Sequence, residues 1–165
     1  MFAWQFAKAQ YVAETPFVSM QNHYNLIYRE EEREMIPQCL DQGVGLIPWS
    51  PLARGLLAGS RTSSGERLTQ RANTDPFLDS LYRPEMDFPV IDRLAEVAAE
   101  RGVPQAQVAL AWLLHKPGVT APIVGATKLA HVEDALAAAE LTLSDDEIRR
   151  LAEPYVPHPV SGIAL

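Results

Sequence analysis

Three short segments of the sequence carry polar and aromatic side chains that could form one active site. They are Gln21-Asn22-His23, Trp49-Ser50 and Gly125-Ala126-Thr127, and each follows an apolar run of strand length. Taken singly, each also has an ordinary structural interpretation: Trp49 as a core aromatic, Ser50 as a turn residue and Gly125 as a glycine that begins a helix. Their chemistry becomes specific only if the fold brings the three segments together.

Other kinds of active site are not indicated. The histidines lie on different predicted elements, without the spacing to a Cys, Asp or Glu that a metal site requires. The serine-containing stretch 59–65 has no Gly-x-Ser-x-Gly motif between a strand and a helix, so a hydrolase is not predicted. The acidic run 30–32 is better explained as compensation of a helix dipole than as a carboxylate site. The histidines are His23, His115, His131 and His158.

The bulk composition predicts a single soluble domain over residues 1–165. The chain has 47% hydrophobic and 21% charged residues, as ordinary globular proteins do. A net charge of −7 and a pI near 5.0 argue against nucleic acid or membrane as a partner, because both need clustered Lys and Arg. No basic leader or long apolar run occurs, so we expect a cytoplasmic protein. The single cysteine, Cys39, excludes an internal disulfide and is interpreted as a small buried hydrophobic residue.

The hydrophobic pattern predicts three strands that alternate with helices. The first predicted helix carries apolar residues at Phe2, Phe6, Ala9 and Ala13 and ends before Pro16. A strand at 17–21 follows. A second helix at 30–42 stops at Gly43, and a second strand spans 44–49. After residue 87 the pattern predicts a helix closed by Gly102 and a buried helix that begins at Pro104. A third strand is predicted at 119–124 and a helix at 129–140. A capping box from Ser144 to Glu147 marks the start of the last helix. Residues 50–87 lose the periodicity and are predicted as a long loop, and residues 154–165 as a tail on the surface.

This order of elements predicts an α/β fold with a parallel sheet. The 44–49 run is apolar throughout, as expected for a strand covered on both faces. Strands that alternate with helices through right-handed crossovers form either an open doubly wound sheet or part of a (β/α)8 barrel. A whole barrel takes about 250 residues, and this chain has material for roughly three strands. In a barrel, the three polar segments would meet at the carboxyl ends of these strands.

Together, the motifs resemble those of the aldo-keto reductases, especially the aryl-alcohol dehydrogenase-like branch. The matching residues are Gln21-Asn22-His23-Tyr24-Asn25, Trp49-Ser50-Pro51-Leu52-Ala53-Arg54-Gly55 and Ile123-Val124-Gly125-Ala126-Thr127-Lys128. The resemblance runs in order from Met1 to about Leu151 and includes the string from Tyr28 to Glu34. It implies that the chain is the C-terminal portion of a (β/α)8 TIM barrel, with about three parallel strands and surrounding helices.

The resemblance implies an oxidoreductase that reduces aldehydes and other carbonyl compounds with NADP(H). Gln21 would hydrogen-bond the carboxamide of the cofactor, and Trp49 would stack on its nicotinamide ring. Beside the pyrophosphate would lie Ser50, Leu52 and Arg54, with the 50–87 loop folded over it. Gly125, Thr127 and Lys128 would bind the adenosine 2′-phosphate at a helix N-terminus, which favours NADP over NAD, while His131 and Asp134 would meet the adenosine.

Two positions depart from the pattern of that branch. Gly59-Ser60 stands where the branch usually has Gly-Lys, which removes a phosphate-directed cation unless Arg61 replaces it. Ala135 stands where an asparagine commonly contacts adenine. Both departures predict weaker cofactor binding than is typical of the family.

The resemblance assigns no catalytic residue to this chain. The family reduces carbonyls with a tyrosine acid, a lysine, an aspartate and a histidine, all on earlier strands, and those strands are not present. None of the tyrosines here stands at the position of the family's catalytic tyrosine, so the chain alone is predicted to be inactive. They are Tyr11, Tyr24, Tyr28, Tyr82 and Tyr155.

Three hypotheses therefore remain open. The chain could be the cofactor half of such an oxidoreductase, completed by the missing N-terminal half. It could be a non-catalytic half-barrel that binds nucleotide or a second copy of itself, since unpaired strand edges favour association. It could also be a truncated remnant of marginal stability.

Overall fold

A parallel pair of short strands forms the centre of the fold. The computed structural model describes residues 2–61, 66, 68–69 and 73–159. Strand β1, Ser19–Met20, pairs with β2, Gly45–Leu46, in the register Ser19 to Gly45 and Met20 to Leu46. The pairing continues past the strands as a parallel bridge between His23 and Trp49. The predicted parallel α/β arrangement is confirmed, although both strands are shorter than the apolar runs that predicted them.

The third predicted strand, at 119–124, is present only as a bridge. Val119 makes a single parallel bridge to Leu46, on the side of β2 away from β1. Farther along, the Ile123 N–H donates to the Pro48 carbonyl at 2.8 Å. Pro48 and Pro122 have no N–H, so each removes a rung of the ladder. The segment therefore runs beside β2 without forming a regular strand, and the prediction of a third strand was wrong in that respect.

Helices surround this sheet along the whole described chain. Before β2 lie α1, Ala3–Val12, a 3-10 helix at Glu30–Glu32, and α2, Met35–Asp41. After β2 come a 3-10 helix at Ala53–Ala58, α3 at Leu78–Leu81, α4 at Pro84–Arg101, α5 at Gln105–Leu114, α6 at Leu129–Glu140, and α7 at Asp145–Ala152. The predicted helices at the N-terminus, after Pro104 and at 129–140 are confirmed. So is the capping box, where the Glu147 N–H donates to the Ser144 hydroxyl.

The helix predicted at 30–42 is divided in two. The 3-10 helix at 30–32 ends before Glu34, whose backbone, with φ −141° and ψ −47°, is not helical, and α2 begins at the next residue. Pro37 explains the division: its ring would clash with the carbonyl four residues earlier in a continuous helix, but it is tolerated in a first turn. Gly43 then stops α2 with a φ of 66°, in the left-handed region that glycine adopts without strain.

Helices shorten the loop predicted at 50–87. Helix α4 already starts at Pro84 and runs to its left-handed cap Gly102, so the loop prediction was wrong at its C-terminal end. Buried Asp87 and the internal Pro89 interrupt the apolar periodicity there, although Pro84 is well suited to a first helical position. Residues 62–65, 67 and 70–72 of the predicted loop lie outside the described residues.

The core lies between the sheet and the C-terminal helices. Helix α5 packs against α4, α6 and the 3-10 helix at 53–58. It is buried almost all round, as its apolar sequence predicts, and Trp112 has no exposed surface. Cys39 is also fully buried, and burial raises the pKa of its thiol, in agreement with its interpretation as a core residue.

The chain after α7 returns to the start of the 3-10 helix at 30–32. The Tyr155 hydroxyl donates to Glu30 Oε1 at 2.7 Å, and the His158 N–H donates to the same oxygen at 2.6 Å. His158 is 5% exposed, so this part of the predicted surface tail is anchored in the fold. Residues 160–165 of the tail lie outside the described residues. None of the described helices is both long and apolar enough to cross a bilayer.

Candidate functional site

Trp49 lies at the carboxyl end of β2, next to the end of β1. Its N–H donates to the Asn22 carbonyl at 2.9 Å. Its ring stacks on the imidazole of His23, with the centroids 4.2 Å apart and the planes 14° apart. The other face of His23 stacks on Tyr28, also at 4.2 Å. Three aromatic rings therefore form one continuous stack, in which Tyr28 and His23 are buried and Trp49 is partly exposed.

A buried amide connects this stack to two other segments of the chain. Asn25 is fully buried, and its Nδ2 donates to the Ser50 carbonyl at 2.9 Å and to Tyr82 Oη at 3.1 Å. Its Oδ1 accepts from the N–H groups of Ile27 and Tyr28. Asn25 thus ties the end of β1 to the turn after Trp49 and to the residue that follows α3.

The hydrogen bonds define the tautomer of His23. The ring atom Nε2 lies 2.9 Å from Tyr82 Oη. Asn25 Nδ2, which can only donate, lies 3.4 Å from the same nitrogen, so both contacts are satisfied when Nε2 is the unprotonated nitrogen and accepts. Burial, assisted by the positive charge of Arg54, lowers the pKa of His23 to about 4. The imidazole is therefore neutral at physiological pH.

The turn that follows Trp49 has an unusual backbone. Ser50, Ala53 and Arg54 all have positive φ, between 48° and 56°, a conformation that residues with a Cβ rarely adopt. The Leu52 carbonyl accepts from the N–H groups of Gly55 and Leu57. Strained backbone of this kind occurs preferentially at functional sites, where the surrounding structure holds it.

Arg54 is held by an acidic residue that sequence reasoning missed. Its Nε donates to Asp75 Oδ2 at 2.5 Å, and its guanidinium lies 5.7 Å from the centre of the Phe77 ring. Farther along, Arg61 pairs with Asp79 at 3.0 Å. Ser60 Oγ and Arg61 Nε are buried and have no hydrogen-bond partner among the described residues. Both cations near the predicted pyrophosphate position are therefore already partly neutralised.

Gln21 lies one strand position before Asn22, close to the stack along the chain. The parallel register places it opposite Ile47, and its side chain is exposed. The structure thus places Gln21 at the same end of the sheet as Trp49.

The residues predicted to meet the adenosine lie around the N-terminus of α6. Gly125, Thr127, Lys128 and His131 are all exposed. The Thr127 N–H faces His131 Nδ1 at 3.4 Å. Asp134, one turn further, accepts from Gln107 of α5 at 2.8 Å. This cluster is assembled at one helix end, and it joins the sheet through the pairing of Ile123 with Pro48.

The structure therefore gathers the predicted residues into two clusters, with Trp49 and Ser50 at the sheet and Lys128 at α6. Sequence reasoning missed three residues that support the first cluster: Asn25, Tyr82 and Asp75. Asn25 belongs to the motif Gln21-Asn22-His23-Tyr24-Asn25, but its residue type alone does not reveal a bridging role. Among the described residues, no group of three or more His, Cys, Asp or Glu side chains is arranged to hold a metal ion.

Comparison with known proteins agrees with the resemblance found in the sequence. The profile of the aldo/keto reductase family matches residues 2–155. A putative aryl-alcohol dehydrogenase of Schizosaccharomyces pombe is 47% identical over 98% of this chain and 46% of its own length. The versiconal hemiacetal acetate reductase of Aspergillus parasiticus is 47% identical over 97% of this chain and 48% of its own length.

A solved structure supports the fold. The crystal structure of a thermostable aldo-keto reductase in complex with the inhibitor epalrestat superposes with a TM-score of 0.65 and 28% identity. The superposition covers 90% of this chain and 43% of that one. The chain thus spans about half the length of the proteins it matches.

Proposed function

The chain belongs to the aldo/keto reductase family, and we propose that it is the cofactor-binding half of an NADP(H)-dependent oxidoreductase that reduces aldehydes and other carbonyl compounds. In this proposal its elements are the C-terminal portion of a (β/α)8 barrel. The observation that carries it is the Trp49 ring, partly exposed at the end of β2 and backed by the buried imidazole of His23. A rigid aromatic face at a strand end is what a flat heteroaromatic ring can stack on.

The residues present fit a nicotinamide dinucleotide. Ser60 Oγ and Arg61 Nε are buried polar atoms that lack a hydrogen-bond partner among the described residues, and anionic oxygens could supply one. The Arg54 guanidinium carries five N–H donors, of which its ion pair with Asp75 uses Nε. At α6, exposed Lys128 precedes a helix N-terminus, where the dipole and the first N–H groups favour a phosphate.

In this proposal each cluster has a separate binding task. The cofactor, when bound, supplies hydride to a carbonyl carbon. Trp49 orients the nicotinamide face, and the Gln21 amide hydrogen-bonds its carboxamide. Ser50, Leu52 and Arg54 line the pyrophosphate, Gly125, Thr127 and Lys128 bind the 2′-phosphate, and His131 and Asp134 border the adenosine.

Three tyrosines of this chain are poorly suited to act as the proton donor. Burial raises the pKa of Tyr24, Tyr82 and Tyr155, whereas a catalytic acid works best with a pKa near the working pH. We therefore propose that the chain binds cofactor without reducing a carbonyl by itself, and that its partner is the N-terminal half of the barrel. A cytoplasmic location, and the absence of nucleic acid and membrane partners, stay predictions from the sequence.

Replacing Trp49 is the direct test of the cofactor site. We expect the wild-type chain to bind NADPH more tightly than NADH in a calorimetric titration. Trp49→Leu should weaken NADPH binding about two- to tenfold, because an aromatic stack contributes roughly 0.5–1.5 kcal/mol.

Trp4→Leu is the matched control, since Trp4 is 57% exposed on α1 and should leave the affinity unchanged. Equal losses in the two variants, or no binding of either nucleotide by the wild type, would exclude the proposed site.

The second candidate is a half-barrel that associates with a second copy of itself. Exposed apolar side chains in two parts of the fold favour it. Tyr11 and Val12 at the end of α1 and Val18 just before β1 are exposed, as are Leu129 and Leu136 on α6. Apolar surface and an unpaired strand edge both favour association.

Light scattering after size exclusion tests this candidate. A self-associating half-barrel should elute with twice the monomer mass at micromolar concentration, and Val18→Lys should shift it toward the monomer. A wild-type chain that elutes as a monomer at tens of micromolar would rule out self-association, and the N-terminal half would be left as the proposed partner.

A further inference from the structure

Solvent exposure increases along the ring stack from Tyr28 through His23 to Trp49. Tyr28 is 1% exposed and His23 is 7% exposed, whereas Trp49 is partly exposed. The planes of Tyr28 and His23 differ by 13° and those of His23 and Trp49 by 14°. The buried rings therefore set the plane of the outermost ring, so His23 is the surface against which Trp49 is oriented.

The imidazole of His23 cannot turn without losing a hydrogen bond. Its Nε2 accepts from Tyr82 Oη, whose oxygen in turn accepts from Asn25. The ring of Tyr82 also meets that of His23 edge-on, with the centroids 5.7 Å apart. Tyr82 is itself buried, at 2% exposed. The phenol therefore holds the orientation of the imidazole, together with Asn25 Nδ2, which lies 3.4 Å from the same nitrogen.

The locking residue comes from a distant part of the chain. Tyr82 is 59 residues from His23 in sequence and lies between α3 and α4, at the far end of the segment that follows Trp49. That segment includes Arg54 and its partner Asp75. The hydrogen bond between Tyr82 and His23 therefore fastens the far end of the segment to the ring stack.

We propose that His23 is a positioning residue for Trp49, and that Tyr82 holds His23 in place so that the Trp49 ring is oriented before any ligand arrives. This inference rests on the proposed function, in which the Trp49 face receives the nicotinamide ring. A ring oriented in advance loses little conformational freedom on binding, which favours affinity. Loss of the Tyr82 hydroxyl should therefore weaken cofactor binding even though that hydroxyl does not touch the cofactor.

Fluorine NMR of the chain labelled with 5-fluorotryptophan tests the orientation without any ligand. The chain has three tryptophans, so three resonances are expected, and Trp4→Phe and Trp49→Phe assign them. Tyr82→Phe keeps the ring and removes only the hydroxyl, and it should shift or broaden the Trp49 resonance. The matched control is Tyr24→Phe, which removes a buried hydroxyl bonded to Glu32 beside Trp112. It should affect the Trp112 resonance and leave that of Trp49 unchanged.

A pH profile separates positioning from general packing. Protonation of His23 removes its acceptor nitrogen, so the wild-type Trp49 resonance should shift with a midpoint near pH 4. In Tyr82→Phe that midpoint should rise, because the donor that favours the neutral imidazole is gone. A Trp49 resonance that is unchanged in Tyr82→Phe, in position, width and midpoint, would overturn the inference.

Calorimetry with NADPH then tests the consequence for the site. Tyr82→Phe should bind NADPH about two- to tenfold more weakly than the wild type, and by no more than Trp49→Leu, because the hydroxyl acts only through the orientation of that ring. A shifted Trp49 resonance with unchanged NADPH affinity would also overturn the inference. Failure of the proposed function would be seen separately, as a wild-type chain that binds no NADPH.

Discussion

Asn25→Ala is expected to lower the free energy of unfolding by about 3 kcal/mol, the sum of several buried hydrogen bonds at roughly 0.5–1.5 kcal/mol each and of an unsatisfied donor. The Ile27 N–H loses its acceptor, and the Ser50 carbonyl loses the amide that holds it in the left-handed turn. Tyr82 loses one of its donors as well. The site and the stability of the fold therefore depend on the same buried amide.

Urea unfolding followed by circular dichroism measures the effect of this substitution. Asn73→Ala is the matched control, because Asn73 is exposed and its side chain donates, within the described part of the chain, to the nearby Thr69 carbonyl. The control should change stability by less than about 0.5 kcal/mol. Similar losses in both variants would show that Asn25 does not carry the network assigned to it.

Asp87→Ala is expected to cost about 3–5 kcal/mol, as is typical when one partner of a buried ion pair is removed. Asp87 is 1% exposed. Its Oδ1 lies 2.8 Å from His158 Nε2, and its Oδ2 accepts from the Arg83 N–H at the start of α4. The substitution leaves buried His158 without its partner and the Arg83 N–H, at the start of α4, without its acceptor. It should release the C-terminal tail, as limited proteolysis after residue 152 would detect.

The Asp87 contribution should also depend on pH. The hydrogen bond to the Asp87 carboxylate raises the pKa of His158 above its ordinary value of 6.5. A histidine with a raised pKa in the folded state adds stability that is fully present below about pH 6.5 and is lost as the pH rises through the folded pKa. Glu30 and Tyr155 also face His158 and persist in the variant.

Asp87→Asn isolates this charge effect, because the amide keeps the size of the side chain and an acceptor for Arg83. The difference in unfolding free energy between the wild type and Asp87→Asn should be largest near pH 6 and should shrink as the pH rises. A difference that grows with pH would contradict the assigned ion pair.

Local sequence signals were enough for much of the secondary structure. Gly102 closes α4, Pro104 precedes α5, and the box from Ser144 to Glu147 opens α7, each because a single residue type satisfies a helix end. Prolines, in contrast, made two predicted elements differ from the observed ones. Pro48 and Pro122 removed rungs from the expected third strand, and Pro89 helped to hide the beginning of α4. The sequence shows where a proline lacks an N–H, but the structural consequence depends on which neighbouring carbonyl would have accepted that hydrogen bond.

The candidate site also combines features that the sequence predicts with contacts that depend on the tertiary fold. Residue types and short spacings were sufficient to predict the family motif, the aromatic at the end of β2, and the helix whose N-terminus carries Lys128. They also predicted the alternation that makes the sheet parallel, since all of these features are local in the chain. The contacts of Tyr82 with His23, of Asp75 with Arg54 and of Asp87 with His158 could not be predicted in this way. The hydrogen bonds of Tyr82 and His158 join residues 59 and 71 positions apart, and only the packing of whole helices brings such partners together.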